Sequence, residues 1–280
     1  MILELSKHHG LGNDFLVAFA PQVSDLPALA RQLCDRRRGI GADGLLVGES
    51  LDTERDGAAA RMVLFNADGS RAEMSGNGIR CFAQALARRD GFLGDVTILT
   101  DAGLRLVQMA PTDDPMTIIA SVDMGAVLAI DGPEGWGSVG AHPDRPVMHL
   151  SLGNPHTVVG VDEVAAIDLA SLGALVPQVN LEIVEPGPEP DAISMRVHER
   201  GAGITEACGT GACAAAWAAA SWGLVPSRAG DIVVHMDGGD ARVRLDDPAP
   251  GHATLIGPAT FIGRVLIEIR DDESISAGER

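Results

Sequence analysis

Apolar and polar residues run along this chain in two rhythms. Short apolar, β-branched runs read as strands: FLVAF (15–19), GLLVG (44–48), MVLF (62–65) and VTIL (96–99), then HTVVGV (156–161), LEIV (181–184) and DIVVHM (231–236). Between them, AEMSGNGIRCFAQALARRDG (72–91) and ACGTGACAAAWAAASWG (207–223) read as helices. The second is built on alanine, the strongest helix former, and the two close on Gly91 and Gly223. The alternation predicts a mixed α/β (α+β) fold in which each of these helices starts just after Ser75 or Cys208.

The order of segments also repeats. EMSGNGIRC (73–81) returns as EACGTGACA (206–214), an offset of 133 residues from Ser75 to Cys208. LGNDFLVAF (from 11) returns as LGNPHTVVGV at an offset of 141, DLPALARQL (from 25) as DLASLGALV at 143, and DVTILTDAGLRLV (from 95) as DIVVHMDGGDARV at 136. Four ordered matches with slowly drifting offsets indicate a tandem duplication. The predicted domains are 1–122 and 123–263, crossing in a loop at APTDDPMTIIASVDMGA (110–126). The final strand, FIGRVLIEI (261–269), has no evident repeat mate, so residues 264–280 are expected to return to the first domain.

Composition narrows the partners. With 280 residues, 46% of them hydrophobic, the chain can fill real cores. Its formal charge of −18 repels phosphate backbones, and Arg36, Arg37 and Arg38 form its only basic cluster, so nucleic acid is not an expected partner. Neither the N-terminal MILELSKHHGLGNDF nor the longest apolar run, ACAAAWAAA (212–220), has the length of a membrane span, and the reading is cytoplasmic. Cys34, Cys81, Cys208 and Cys213 are too sparse for a disulfide framework and show no CxxC spacing for zinc.

The matched loops are the candidate chemistry. A helix N-terminus presents unpaired N–H groups and binds anions, and it lowers a cysteine there to roughly 3.5–7.5, which makes Cys208 a candidate thiolate. Gly76, Gly78, Gly209 and Gly211 would let a carboxylate approach the backbone. In the plain structural reading, Cys208 is a small buried turn residue. A rival reading takes GTGACA (209–214) as a dinucleotide fingerprint with Asp231 as the ribose acid. Its lead-in, HERGAGITEAC, is polar rather than a buried strand, and the fingerprint leaves the first loop unexplained. No GxxxxGK[ST] phosphate loop is present.

HGLGNDF (9–15), GIGADG (39–44), FNADGS (65–70), GNPH (153–156) and ERGAGITEACGTGACAA (199–215) together make the chain similar, over nearly its whole length, to the diaminopimelate epimerase family. The resemblance implies two pseudo-symmetric domains, each a curved mixed sheet around a central helix, and a cofactor-independent amino-acid epimerase with neither metal nor organic cofactor. In that family two cysteines at opposed helix N-termini serve as base and acid on the two faces of the α-carbon. The resemblance makes Cys208 one such group and sets Gly209 and Thr210, with Gly76 and Asn77, on the substrate carboxylate. Asn13, Asn66, Asn154, Asn180 and Arg200 match groups that bind the polar ends, and Glu199 and His156 match groups close to the reacting centre. By residue type alone Asn66 and Asn154 are also turn formers, Glu199–Arg200 a solvated pair and His156 a core imidazole.

Two positions depart from the family. Ser75 stands where the family carries its first cysteine, and Gly44 where it usually has glutamine. An alkanol ionises about as reluctantly as water, far above a thiol at about 8.5, a gap of about 10 kcal/mol of which a helix N-terminus returns about 2 at most. Cys81 lies more than a helical turn beyond the loop and is no evident substitute. Three explanations fit: a slow enzyme, Ser75 relaying protons for Glu199 or His156, or another substrate, since related racemases and dehydratases of hydroxyproline carry a hydroxyl here. The leading expectation is interconversion of LL- and meso-2,6-diaminopimelate for lysine and peptidoglycan synthesis by a homodimer. The alternatives are a racemase or dehydratase of another amino acid and an amino-acid binding protein whose catalysis has lapsed.

Overall fold

The computed structural model describes residues 2–51, 57–138, 145–225 and 230–269. The first half runs β1 (Ile2–Gly10), β2 (Asn13–Phe19), α1 (Leu26–Cys34), β3 (Gly44–Ser50), β4 (Ala60–Asn66), β5 (Arg71–Ala72), α2 (Gly76–Asp90), β6 (Val96–Thr100), β7 (Gly103–Pro111) and β8 (Thr117–Ala126). The second half runs β9 (Leu128–Ala129), β10 (Val147–Ser151), β11 (Pro155–Gly160), α3 (Leu169–Leu175), β12 (Asn180–Pro186), β13 (Ala192–Glu199), β14 (Gly203–Thr205), α4 (Gly209–Trp222), β15 (Asp231–Met236), β16 (Gly239–Leu245) and β17 (His252–Glu268).

Strand pairing repeats with the sequence. β1–β2 is antiparallel, β2–β3 parallel, β3–β4 antiparallel and β4–β6 parallel. The same senses recur in β10–β11, β11–β12, β12–β13 and β13–β15. β8 and β17 lie antiparallel against each other, from His252↔Ala126 to Thr260↔Thr117. Each then closes the opposite half: β17 runs on against β1 as far as Ile2↔Glu268, while β8 leads into β9, which pairs with β10 at Leu150↔Ala129. The result is an α+β fold in which all the strands join into one curved, barrel-like mixed sheet, wrapped around α2 in the first half and around α4 in the second.

The expected crossing loop at 110–126 is therefore corrected to a hairpin, with β8 its second strand and Thr112–Asp114 hydrogen bonds in its turn. The boundary at 122/123 falls inside β8. The final strand does have a repeat mate, the β8–β9 segment, obscured in the sequence because β9 is only two residues long. Residues 264–268 lie against β1, and 270–280 lie outside the described residues.

Alternation decides which side chains face each helix. Leu45 and Val47 of β3 face outward into the layer under α1, whereas Leu46 joins the inner core around α2. On β12, Leu181 and Ile183 face outward towards α3 and Val184 faces in. Inside, α2 buries Ile79, Phe82 and Leu86, and α4 fills the matching space with alanines, Ala212, Ala214, Ala215, Ala216, Ala218 and Ala219. Both helices end on a left-handed glycine, Gly91 (φ 69) and Gly223 (φ 75), a conformation that favours a residue without Cβ.

The two helices meet at their N-termini. A Cβ added at Gly209 would lie 3.0 Å from the Gly76 Cα and 2.8 Å from the Leu255 Cδ2, and one at Gly76 would lie 3.2 Å from the Gly209 Cα. Backbone meets backbone, so neither position can accept a side chain without moving the halves apart. Gly209→Ala is expected to destabilise the protein by about 1–3 kcal/mol through overpacking, seen as a lower midpoint in thermal unfolding. An unchanged midpoint would mean the halves are not held at this spacing.

Candidate active site

The abutting helix ends form the floor of a cavity of about 210 Å³ between the halves. Ser75 is the N-cap of α2 and accepts the Gly78 N–H at 3.0 Å; Cys208 is the N-cap of α4, with its Sγ 3.4 Å from the Gly211 nitrogen. Both line the cavity together with Gly76, Asn77, Gly209 and Thr210. Residues predicted for substrate binding also come together here. Asn13 starts β2, Asn66 ends β4, Asn154 precedes β11, Asn180 starts β12, Glu199 ends β13 and Arg200 follows it. His156 is the exception: it is fully buried behind the wall, with Nε2 3.1 Å from the Asn154 Oδ1 and Nδ1 2.6 Å from the Glu182 Oε1.

Hydrogen bonds hold the polar walls. The Asn13 amide donates to Asp43 at 2.7 Å, and the Asn180 Oδ1 accepts the Arg200 N–H at 2.8 Å. Asn66 donates to the Ser70 hydroxyl at 3.0 Å, which closes its turn and fixes the side chain at the rim. Glu199 accepts from the Thr205 hydroxyl. Asn77 donates across the halves to the Ala207 carbonyl at 3.2 Å, and its own oxygen accepts from the fully buried Arg80 at 2.7 Å. Burial lowers that guanidinium to about 10.

The thiolate expected at Cys208 is corrected. Burial, and after it the Glu199 and Glu182 carboxylates, push the Cys208 thiol well above its usual value, against smaller opposing contributions from Thr210 and the Gly211 N–H. Helix-end stabilisation of about 2 kcal/mol at most is outweighed when the thiol loses water and faces two acids. The resting group is a thiol. Cys81 and Cys213, buried inside α2 and α4, are pushed up to about 12 by burial and do not line the cavity.

Two acids escaped sequence reading. Asp43 lines the cavity from inside the quoted GIGADG motif, and the network around it was the missed signal. Arg36 bridges Asp43 at 2.6 Å and Asp14 at 2.7 Å, and Lys7 reaches Asp14 at 2.9 Å. Glu182 is fully buried under Cys208, and its only sequence signal was a charge inside the apolar run LEIV.

In chemical terms, the floor offers two sets of helix N–H groups to one anion, with a hydroxyl and a thiol as capping groups beside it. The family model described as diaminopimelate epimerase matches residues 5–130 and 148–262. The chain is 38% identical over 290 residues to the diaminopimelate epimerase of Synechococcus elongatus, covering 94% of this chain and 97% of that one. Among solved structures, a phenazine biosynthesis protein of Bacillus anthracis aligns with a TM-score of 0.75 at 14% identity, covering 96% of this chain and all of the other. A hydroxyproline epimerase of Agrobacterium vitis aligns with a TM-score of 0.66 at 16% identity, covering 95% and 91%. At those identities the two structures speak for the fold alone.

The ion-pair network that carries Asp43 gives a pH signature. Burial alone would raise Asp14, but Arg36 and Lys7 hold it below the usual carboxylate range. A depressed folded-state value contributes stability that is present above the unfolded value of about 3.9 and is lost as pH falls through the folded one. Asp14→Asn is expected to cost about 1–3 kcal/mol at pH 7, with the difference from wild type shrinking below about pH 4 in urea titrations. A difference that does not change with pH would mean the ion pairs contribute nothing.

Proposed function

The chain belongs to the diaminopimelate epimerase family and is an isomerase, and from that premise we propose that it interconverts LL- and meso-2,6-diaminopimelate by proton transfer at one α-carbon without a cofactor. The observation that carries this reading is the meeting of two capped helix N-termini at Gly76 and Gly209 on the floor of one cavity. The reacting carboxylate sits on the N–H groups of Gly76, Asn77, Gly209 and Thr210, where helix-end charge stabilises the enolate-like anion formed when the α-hydrogen leaves. Glu199 and Arg200, with the four asparagines, bind the ammonium and carboxylate groups at the two ends. The product feeds lysine and peptidoglycan synthesis.

Cys208 is the competent proton-transfer group in this scheme. After burial, Glu199 is the largest influence holding its proton, so an α-ammonium against Glu199 would offset that repulsion and help the thiol ionise once substrate is bound. Ser75 faces the other side of the α-carbon with an ionisation handicap of about 10 kcal/mol. That difference makes the reaction lopsided. It also favours a second reading, a racemase or dehydratase acting on another amino acid.

In heavy water, the isomer whose α-hydrogen faces Cys208 is expected to exchange it faster than it epimerises, while the other isomer barely exchanges. Ser75→Cys should balance the two faces and raise turnover by orders of magnitude, and Cys208→Ser should extinguish both reactions. Equal epimerisation of both isomers by the wild-type protein, with matched deuterium uptake, would sink the assignment of Cys208 as the only strong base. Loss of water from a different amino acid would favour the second reading.

A further inference from the structure

The two halves differ behind their capping residues. In the first half the ladder Phe15↔Gly44 and Val17↔Leu46 sets Phe15 and Leu46 behind Ser75. In the second half the matching ladder, His156↔Asn180 and Val158↔Glu182, sets His156 and Glu182 behind Cys208. The equivalence holds in space as well: a Cβ at Gly78 would meet the Leu46 Cδ2 at 3.4 Å, and one at Gly211 would meet the Glu182 Oε1 at 2.7 Å. One cap is backed by hydrocarbon and the other by a buried acid and imidazole. Glu182 is fully buried, and its Oε2 has no hydrogen-bond partner.

From Glu182 a chain of hydrogen bonds leads to the thiol. His156 Nδ1 meets Glu182 at 2.6 Å and its Nε2 meets the Asn154 Oδ1 at 3.1 Å; the Asn154 amide donates to the Thr210 hydroxyl at 3.2 Å, and that hydroxyl lies 3.5 Å from the Cys208 Sγ. The Asn154 oxygen can only accept, so Nε2 carries a hydrogen. Thr210, already accepting from Asn154, keeps its own hydrogen for the sulfur.

We propose that Glu182 is a positioning residue for Cys208, sharing one proton with His156 and thereby fixing a one-way run of donors, through Asn154 and Thr210, that ends on the Cys208 sulfur. With a proton between Glu182 and Nδ1, Nε2 must donate, and every later link points at Sγ. Without that proton the imidazole keeps its hydrogen on Nδ1, Asn154 turns its amide to Nε2, and Thr210 gives its hydrogen to Asn154 instead of the sulfur. Burial favours the protonated arrangement, because it pushes the Glu182 carboxyl up and a net negative pair there would be unsolvated. Glu199 from β13 and the negative charge of Glu182 itself oppose ionisation of the sulfur and the Gly211 N–H of α4 favours it, so in this proposal the donor chain outweighs the charge of Glu182. The inference rests on the reading of Cys208 as the proton-transfer group, but its test needs no turnover.

The test is alkylation of Cys208 by iodoacetamide across pH in the full chain, read at that residue by peptide mass spectrometry. Removing the donor chain should raise the pH midpoint by about one unit in Glu182→Leu, which carries the residue type found at position 46, and by a similar amount in Thr210→Val. The double variant should shift no further than Thr210→Val alone, since both cut one chain. Glu182→Gln, whose amide can still donate to Nδ1, should shift by less than half as much. The proposal is overturned if Glu182→Leu lowers the midpoint, which is what loss of a nearby negative charge alone would do, or if its effect adds to that of Thr210→Val. Should Glu182→Leu fail to fold, Glu182→Gln decides by itself: a midpoint about one unit below wild type would assign Glu182 a purely electrostatic role. Failure of wild-type protein to exchange an α-hydrogen would instead remove the enzymatic reading and leave these midpoints to be judged separately.

Discussion

The contact between Gly76 and Gly209 is the constraint on which the rest of the molecule depends. Two helix N-termini, each with a partial positive charge of about half an elementary charge, point at one another across bare backbone. Such an arrangement is electrostatically unfavourable until an anion enters between them. It is held in place by neutral devices instead: the pairing of β8 with β17 across the halves, the Leu255 side chain against both glycines, and the Asn77 bond to the Ala207 carbonyl. Arg80, buried and bonded to Asn77 and the Pro258 carbonyl, ties the first helix to β17. The fold therefore turns two partial positive charges onto one point at its centre, where the proposed reading places the substrate carboxylate.

Duplication supplies the symmetry and substitution removes it. Asn13 and Asn154, Gly76 and Gly209, and Asn66 and Glu199 occupy matching places, yet the paired groups that would move protons are a hydroxyl backed by Leu46 and a thiol backed by Glu182. The cost of ionising serine, about 10 kcal/mol more than cysteine, exceeds anything a helix end or a single hydrogen bond returns. On the proposed reading, chemistry on the two faces of the α-carbon is unequal for that reason.

Much of this was legible in the chain. Short apolar, β-branched runs marked the strands, and the glycines after Ser75 and Cys208 marked the two helix starts, with Ser75 and Cys208 the N-caps in the structure. The four asparagines, Glu199 and Arg200, which the resemblance matched to binding or reacting-centre positions, line one cavity. What could not be read were properties of the assembled interior. The segment TIIASVDMGA looked like part of a loop because PTDDP precedes it, but pairing with β17 makes it a strand. Glu182 looked like an ordinary charged position in LEIV until alternation turned it inward. Cys208 looked like a thiolate because its local sequence offers a helix end, whereas desolvation comes from the assembled interior and two carboxylates are contributed by β12 and β13.

The central claim is that both helix ends hold a single carboxylate. Titrating meso-diaminopimelate into nitrogen-15-labelled protein, and following the backbone amide resonances of Gly76, Asn77, Gly209 and Thr210, tests it directly. All four should move with one common midpoint, because a carboxylate at the junction perturbs both N-termini at once. Movement confined to one pair, or two different midpoints, would contradict a shared site.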